Sequence, residues 1–387
     1  MCGLVSEIEC DVLVAGSGPS GANAARICAE AGMKVVMLDS KMEIGAPVIC
    51  ADSINLDVVR SSGLEKDSRL ISRSIPELSI TNRHGRGEIV LHAGHTDSEA
   101  FNTVVERDRL DKEMVTLALT LGAALKIRAR LQDYEYNGEK FDVHYRQEGK
   151  DLTASSKYLV IATGLRTVAK PGKEPVHPET REYLYSYSRL AVSRLSSVQA
   201  KLVLGTGKEE TLSWRVPRSE NTVNTLKIMP GSLLNESRPV ADFEKTANRA
   251  RPIVSGYALI SNPASVNPST GDALNAGSFA GLFDHFFMTG FREAYISGDL
   301  AAKSILSSEK ERRNPAEIYK KLINDVLIPS ISDSQKLRVS VDRTSPEHLN
   351  DFLEYLSGYE FNEISAAEII RSAGLNGKNL DELLPEV

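Results

Sequence analysis

The first forty residues alternate short apolar runs with a glycine-rich turn and an alanine-rich stretch. Residues 12–15 form a continuous apolar run, residues 22–31 are rich in alanine, and residues 35–38 are apolar again. Short apolar runs bounded by glycine predict buried strands, and a longer run of good helix formers predicts a helix. The pattern predicts a strand, a glycine turn, a helix and a second strand.

The spacing within this unit indicates a dinucleotide-binding site. Gly16 allows the tight turn, Gly18 lets a pyrophosphate approach the backbone, and Gly21 lets the helix pack closely on the strand. The helix N-terminus then faces the diphosphate with free N–H groups. Asp39 ends the second strand, where a carboxylate accepts hydrogen bonds from both ribose hydroxyls, so an unphosphorylated ribose is favoured.

Helix and strand signals continue along the rest of the N-terminal half. Apolar positions at helical spacing predict a helix from residue 106 to Gly122, followed by a strand over residues 124–131. A hairpin is predicted over residues 141–155. An apolar strand over residues 157–161 then leads into a small-residue turn ending at Gly164, which can approach a bound nucleotide.

Strand signals dominate the next part of the chain, and helix signals dominate its end. Four strand-like runs between residues 183 and 228, and a hairpin over residues 81–93, predict an antiparallel sheet. A helix is predicted over residues 292–306, and amphipathic helices over 346–356 and 364–373.

The order of these elements predicts an α/β protein whose domains are interleaved in sequence. A Rossmann-like nucleotide-binding domain is combined with an antiparallel-sheet substrate domain and a C-terminal helical region. The predicted boundaries are 1–75, 100–170 and 256–306 for the nucleotide-binding domain, 76–99 and 171–255 for the sheet domain, and 307–387 for the helical region.

Composition and charge exclude several classes. The chain of 387 residues is 41% hydrophobic, enough for two or three domains with good cores. Its 46 basic and 52 acidic residues are mixed without long blocks of one sign, so no nucleic-acid partner is expected. No secretory signal and no run of 18 uncharged apolar residues is present. We expect a cytoplasmic protein whose membrane contact, if any, is peripheral.

Cysteine and histidine spacing gives no metal site. Cys2, Cys10, Cys28 and Cys50 lack the close CxxC spacing of zinc or redox pairs. Cys28 is expected to be a small buried hydrophobe, whereas Cys2 and Cys10 are expected near a frayed terminus. The closest histidines, His84, His92 and His95, are expected at the surface of the predicted hairpin.

Residues 45–51, Gly-Ala-Pro-Val-Ile-Cys-Ala, resemble a segment of the geranylgeranyl reductases, Gly-x-Pro-Val-Arg-Cys-(Ala/Gly). These are FAD-dependent enzymes of the para-hydroxybenzoate-hydroxylase-like flavoprotein superfamily, and the resemblance covers most of the chain. It implies FAD as the cofactor, with Cys50 and Ala51 beside the flavin. It also implies that Arg107 contacts FAD and that Leu131 gives a backbone contact at the adenine end.

A second stretch resembles the substrate motif of that family, Tyr-x-Trp-x-Phe-Pro. It is Leu212-Ser-Trp214-Arg-Val216-Pro217, and it contains the only tryptophan of the chain. The resemblance implies a strand facing the flavin. Leu212 replaces the tyrosine and Val216 the phenylalanine, so a more aliphatic substrate pocket is expected.

The second FAD motif of the family is altered. Ser278 stands where the family has aspartate, while Gly290 and Phe291 align with its closing Gly-Ile pair. Losing a hydrogen bond to a charged partner costs roughly 1.5 to 3 kcal/mol, part of which a serine hydroxyl recovers. FAD is therefore still expected to bind. His285 replaces a proline, and is either an acid or base near the flavin or a plain structural substitution.

The resemblance implies a reaction in which reduced flavin delivers a hydride to a carbon–carbon double bond of an apolar isoprenoid lipid. Cys50 is either a gate or proton source there, or an inert buried thiol. A flavin monooxygenase and a non-catalytic family member remain alternatives. The external electron donor is left open between a ferredoxin and NAD(P)H, because no second nucleotide motif is evident.

Overall fold

The predicted strand, turn, helix and strand at the start of the chain are present in the computed structural model, as β1 (Ile8–Ala15), α1 (Pro19–Glu30) and β2 (Val35–Leu38). The structure describes residues 8–46, 49–64, 67, 69–83, 87–92, 102–164, 180–192, 199–205, 211–231, 251–263, 265–359, 361, 365–375 and 378–386. Cys2, His84 and His95 lie outside the described residues, as does the side chain of His92.

A mixed sheet contains this unit, and its central strands are parallel. Its further strands are β8 (Ala124–Lys126), β9 (Ala129–Tyr136), β10 (Phe141–Gln147), β11 (Lys150–Ile161), β17 (Ser269–Thr270) and β18 (Ala273–Asn275). The strand order among the described residues is β17-β18-β11-β1-β2-β8, and β9 and β10 extend the sheet from β11.

The register of the parallel strands brings their carboxyl ends to one edge of the sheet. Ala15 pairs with Leu38 and Ile161, and Ile161 pairs with Asn275. Ligands of such sheets bind outside the carboxyl ends of the strands. The segments that follow β1, β2, β11 and β18 therefore meet at this edge, although more than 250 residues separate the first from the last.

Two strand predictions in this sheet were wrong in detail. The strand predicted over residues 124–131 is broken into β8 and β9, because Arg128 adopts a left-handed conformation with φ of +54°. The second strand of the hairpin predicted over 141–155 and the strand predicted over 157–161 are one continuous strand, β11.

Cys10 lies buried on β1, so the expectation that it is near a frayed terminus was also wrong.

A second sheet contains the strands β5 (Glu77–Asn82), β6 (Glu88–His92), β12 (Thr180–Ala191), β13 (Ala200–Leu204), β14 (Leu212–Ser219), β15 (Thr222–Pro230) and β16 (Arg251–Pro263). Their order among the described residues is β16-β12-β15-β14-β13-β5-β6, and the sheet is antiparallel except where β13 runs parallel to β5. Because β16 pairs with β12 as far as Pro263, this sheet extends beyond residue 256, the boundary predicted from the sequence.

A small antiparallel sheet connects the two large ones, and helices cover both. It contains β3 (Ser53–Asn55), β4 (Ile71–Ile75) and β7 (Asn102–Val105). The remaining helices are α2 (Leu56–Ser61), α3 (Arg107–Thr120), α4 (Phe291–Glu311), α5 (Pro315–Val326), α6 (Ile328–Arg343), α7 (Pro346–Leu356), α8 (Ala366–Gly374) and α9 (Leu380–Leu383).

Two large hydrophobic cores follow from this arrangement. In the first, α1, α3 and α4 pack against the parallel strands, and Cys28 is fully buried there as expected. In the second, one face of the antiparallel sheet packs against residues of α6, α7, α8 and α9. None of the helices in the described part of the chain is both long and apolar enough to cross a membrane.

Candidate functional site

The glycines of the first turn differ in the space around them. A Cβ on Gly16, whose φ is +104°, would lie 2.2 Å from the carbonyl oxygen of Ala162, and one on Gly21 would lie 1.9 Å from the carbonyl oxygen of Gly16. Around Gly18 there is no heavy atom within 4 Å of that position. Gly16 and Gly21 therefore fix the backbone, whereas Gly18 leaves open space at the N-terminus of α1.

Asp39 is held firmly at the end of β2. The backbone N–H and the hydroxyl of Ser17 donate to its Oδ2 at 3.0 and 2.5 Å, and the N–H of Lys41 donates to its Oδ1 at 2.8 Å. A carboxylate has about four acceptor positions, and these three donors occupy three of them, so about one remains for a ribose hydroxyl. The Ser17 contact was missed from the sequence, because serine in a glycine turn has no spacing signal of its own.

Leu131 and Gly164 both lie near this end of the sheet. The backbone N–H of Ala129, two residues before Leu131 on β9, donates to the Asp39 carbonyl at 2.8 Å. Gly164 follows β11 with φ of +70° and open space around its Cα. Both residues are therefore placed where contacts to a nucleotide are predicted.

A second helix N-terminus lies beside the first. The backbone N–H of Gly277 donates to Ser297 Oγ at 2.9 Å, and a Cβ on Gly298 would lie 2.2 Å from the carbonyl oxygen of Ser20. Close packing of α4 on α1 thus explains why serine and glycine stand at Ser297 and Gly298. Ser278 lies half-buried in the tight turn Gly277–Ala280.

A cavity of about 1240 Å³ extends from these helix N-termini to the antiparallel sheet. Seven of the residues singled out from the sequence line it: Cys50, Ala51, Arg107, Trp214, Ser278, Gly290 and Phe291. They come from five separate parts of the chain. Tertiary structure therefore brings together the motifs that the sequence could only suggest one at a time.

Arg107 connects three of these parts. Its guanidinium lies 4.4 Å from the centre of the Phe291 ring, donates to Cys50 Sγ at 3.7 Å and to Asp111 at 3.0 Å. Its Nε is buried and has no hydrogen-bond partner within the described chain. An orphaned buried donor in a cavity wall is explained when a ligand supplies the acceptor.

Cys50 remains a thiol at neutral pH. Burial raises the pKa of its thiol, and the positive charge of Arg107 only partly opposes this. Its sulfur accepts hydrogen bonds from Arg107 and from the backbone N–H of Asp52 at 3.3 Å. A reactive thiolate requires a lowered pKa, which this environment does not provide.

Trp214 reaches the cavity, whereas its motif neighbours do not. The indole N–H donates to the Phe287 carbonyl at 2.9 Å. Leu212 and Val216 are on the same face of β14 but are fully buried in the second core, and Pro217 is likewise absent from the cavity lining in the described chain. Only the long indole side chain extends far enough.

His285 also lies outside the lining formed by the described residues. It is half-buried, with its ring edge-on to Phe283 and 5.7 Å between the ring centres. This position favours the structural interpretation of the histidine over the acid–base one.

A buried ionic cluster below the cavity was missed from the sequence. Asp52 is 2% exposed and has a φ of +63°, and its Oδ2 accepts from Arg189, Arg218 and Asn224 at 3.1, 3.0 and 2.9 Å. Arg218 also pairs with Glu106. The cluster ties the segment carrying Cys50 to β12, β14 and β15. Its members are far apart in sequence, which is why no motif reveals it.

Four acidic residues that line the cavity were missed as well: Asp57, Asp284, Glu293 and Asp299. Two of these, Asp284 and Glu293, precede and follow Gly290 and Phe291 in the sequence. Burial raises the pKa of both carboxyl groups. No group of three or more His, Cys, Asp or Glu side chains able to hold a metal occurs in the described chain.

Four features of the site fit FAD and define a dinucleotide-binding flavoprotein. They are the glycine turn before α1, the anchored Asp39 carboxylate, the two neighbouring helix N-termini and the unpaired Nε of Arg107. The sequence model of the FAD binding domain family matches residues 9–229, more than half of the chain. The chain belongs to this family. It is an FAD-dependent oxidoreductase, so the fold class and the cofactor predicted from the sequence are confirmed, as is the resemblance to the geranylgeranyl reductases.

Curated and structural relatives agree with this assignment. Digeranylgeranylglycerophospholipid reductase 1 of Methanothermobacter thermautotrophicus is 22% identical over 95% of this chain and 96% of its own length. The crystal structure of a geranylgeranyl bacteriochlorophyll reductase-like protein from Thermoplasma acidophilum has a TM-score of 0.83 at 18% identity, covering 97% and 98% of the two chains. The flavin-dependent halogenase CmlS shares the fold, with a TM-score of 0.70 at 12% identity over 95% of this chain and 76% of its own.

Proposed function

We propose that this protein saturates carbon–carbon double bonds of an isoprenoid lipid of the geranylgeranyl type, or of a related apolar substrate. The observation that carries the proposal is the set of apolar side chains in the cavity wall. Aromatic and aliphatic side chains form that wall: Tyr185, Trp214, Leu226, Phe283, Phe287 and Met288. An unactivated alkene has no carbonyl to polarise, so close apolar packing must align it.

The residues that would hold FAD are those of the two helix N-termini. Gly16, Gly18 and Gly21 would cradle the diphosphate, and Asp39 would accept from the ribose. Ser278, Gly290, Phe291 and Arg107 would contact the flavin half. When bound and reduced, FAD supplies a hydride. The chain aligns the lipid, excludes water and provides a proton.

The electron donor and the membrane surface are further partners in this proposal. A ferredoxin or NAD(P)H would reduce the flavin, and an apolar lipid would be taken up through peripheral contact with a membrane. Each donor, added anaerobically to the FAD-loaded protein, should be compared by the rate at which the flavin absorbance bleaches.

Anaerobic reoxidation tests the proposed function. The purified protein is loaded with FAD, reduced, and mixed with a digeranylgeranylglycerophospholipid in detergent micelles. We expect the flavin to be reoxidised by the lipid, with saturated chains detected by mass spectrometry. Flavin that is reoxidised by oxygen alone contradicts the proposal and favours a monooxygenase. A protein that takes up no FAD favours a non-catalytic family member.

A further inference from the structure

Glu293 has a free carboxyl oxygen in the cavity. It is the third residue of α4, is only 5% exposed and lines the cavity. Oε1 accepts from the Arg292 guanidinium at 3.4 Å, but Oε2 is buried without a hydrogen-bond partner among the residues that the structure describes. A buried, unpaired carboxyl oxygen is costly, so a function should explain it.

The neighbouring groups favour the protonated form of this side chain. Burial, and to a smaller extent the charge of Asp284, raise the pKa of Glu293 from 4.5 to about 7, against the opposing effect of Arg292. Burial raises the pKa of Asp284 as well, but its Oδ1 accepts from the Ser334 hydroxyl at 2.6 Å and from the Phe287 N–H at 2.8 Å, and these hydrogen bonds favour its ionised form. The Glu293 carboxyl accepts only from Arg292, at 3.4 Å, so it is the better suited of the two acids to carry a proton.

The two acid–base candidates taken from the sequence, Cys50 and His285, are less suited to donate. Burial raises the pKa of the Cys50 thiol, so it releases its proton reluctantly, and its sulfur already accepts a hydrogen bond from Arg107. His285 is not part of the described lining. General acids work best when their pKa lies near the operating pH, which singles out Glu293.

We propose that Glu293, whose unpaired Oε2 lies in the wall of the cavity, is the proton donor of alkene reduction. The inference rests on the proposed function. The π bond of the alkene breaks, one carbon takes the hydride supplied by reduced FAD, and the other takes the proton from the Glu293 carboxyl. The resulting carboxylate regains a proton from water, since the cavity reaches the surface beside Arg60 and Lys303, which are half-exposed or more.

A direct titration tests the protonation state without reference to turnover. The FAD-loaded protein is labelled with glutamate carrying ¹³C at the side-chain carboxyl, and the NMR signals are followed from pH 5 to 9. We expect one resonance with a midpoint near 7 that is missing in Glu293→Gln. In Asp284→Asn its midpoint should move down, because the charge that disfavours ionisation is removed.

Glu317→Gln is the matched control. Glu317 is the third residue of α5, as Glu293 is of α4, but its side chain is exposed. This variant should keep the resonance with the midpoint near 7. If no glutamate titrates between about pH 6 and 8, or if that resonance persists in Glu293→Gln, the inference is wrong.

Single-turnover kinetics test the proton transfer itself. Reduced, FAD-loaded protein is mixed anaerobically with the digeranylgeranylglycerophospholipid, and lipid-dependent reoxidation is measured. Wild-type rates should fall as pH rises through about 7, since the acid form is required, and Glu293→Gln should be slower by about 10²-fold or more with no such pH dependence. FAD affinity should stay within threefold of wild type.

The outcomes separate this inference from the proposed function. A wild-type rate that does not fall above pH 7, or a Glu293→Gln protein as fast as Glu317→Gln, overturns the inference while lipid reduction stands. A wild-type protein that carries FAD but leaves the lipid unchanged overturns the proposed function, and the inference with it.

Discussion

The glycines of the first turn have separate roles at the scale of single residues. Gly18→Ala places a methyl group in open space at an ordinary backbone conformation, so the free protein should fold with wild-type stability. The same methyl group would stand where the diphosphate approaches, so FAD should bind at least about tenfold more weakly. Fluorescence titration with FAD and urea unfolding measure the two effects.

Gly21→Ala is the counterpart of that variant. Its methyl group would lie 1.9 Å from the Gly16 carbonyl oxygen, and backbone cannot move aside as a side chain can. We expect a loss of about 2 kcal/mol or more in the free energy of unfolding, because α1 must shift away from β1. A Gly21→Ala protein as stable as Gly18→Ala would contradict the close-packing explanation.

The raised pKa of Glu293 also makes a prediction about stability. The unfolded chain has a carboxyl pKa near 4.5 and the folded protein one of about 7, so stability from this group is complete below pH 4.5 and lost as pH rises through 7. The loss amounts to at most about 3 kcal/mol. Glu293→Gln should therefore gain stability relative to wild type between pH 5 and 8. Urea unfolding at several pH values measures this difference, and Glu317→Gln should follow wild type.

At the scale of elements, the hydrogen bond from the Trp214 indole to the Phe287 carbonyl links β14 to the segment that carries Asp284. Trp214→Phe leaves the Phe287 carbonyl unpaired, which should lower the free energy of unfolding by about 1 to 3 kcal/mol. Because the only tryptophan is removed, urea unfolding should be followed by circular dichroism. Tyr136→Phe, which removes an exposed hydroxyl that donates to the Gly138 carbonyl, is the control and should change little.

Elements set by local pattern were predicted well. Helix α3 begins next to Glu106 and ends before Gly122, and α7 spans the predicted residues 346–356. The division of residues 124–136 into β8 and β9 was not predicted, because it depends on the left-handed conformation of Arg128. Arginine gives no sequence signal for that conformation, as glycine would.

At the scale of the whole molecule, the C-terminal helices complete the core of the antiparallel sheet. Leu353 on α7 is fully buried in that core, and it lies against Gly87, just before β6. Leu353→Ala should cost about 2 to 5 kcal/mol through lost burial and the cavity left behind. Leu375→Ala, at a side chain that is 66% exposed, should stay within about 0.5 kcal/mol of wild type. Thermal and urea unfolding compare the two, and equal losses would contradict the shared core.

The sequence by itself determined the nucleotide-binding unit and the α/β class, and its resemblance to a known family gave the cofactor. Gly16, Gly21 and Asp39 act within one continuous segment, where local spacing already fixes geometry. Cys50, Arg107 and Trp214 were found because motifs of a known family contain them.

Only the tertiary structure decided which side chains form the cavity. Leu212 and Val216 belong to the same motif as Trp214, yet they are buried in the sheet core. Glu293 reads as an ordinary residue in the first turn of a helix, and its raised pKa depends on burial and on Asp284. Burial and long-range electrostatics arise from segments that meet only on folding, so no local pattern can encode them.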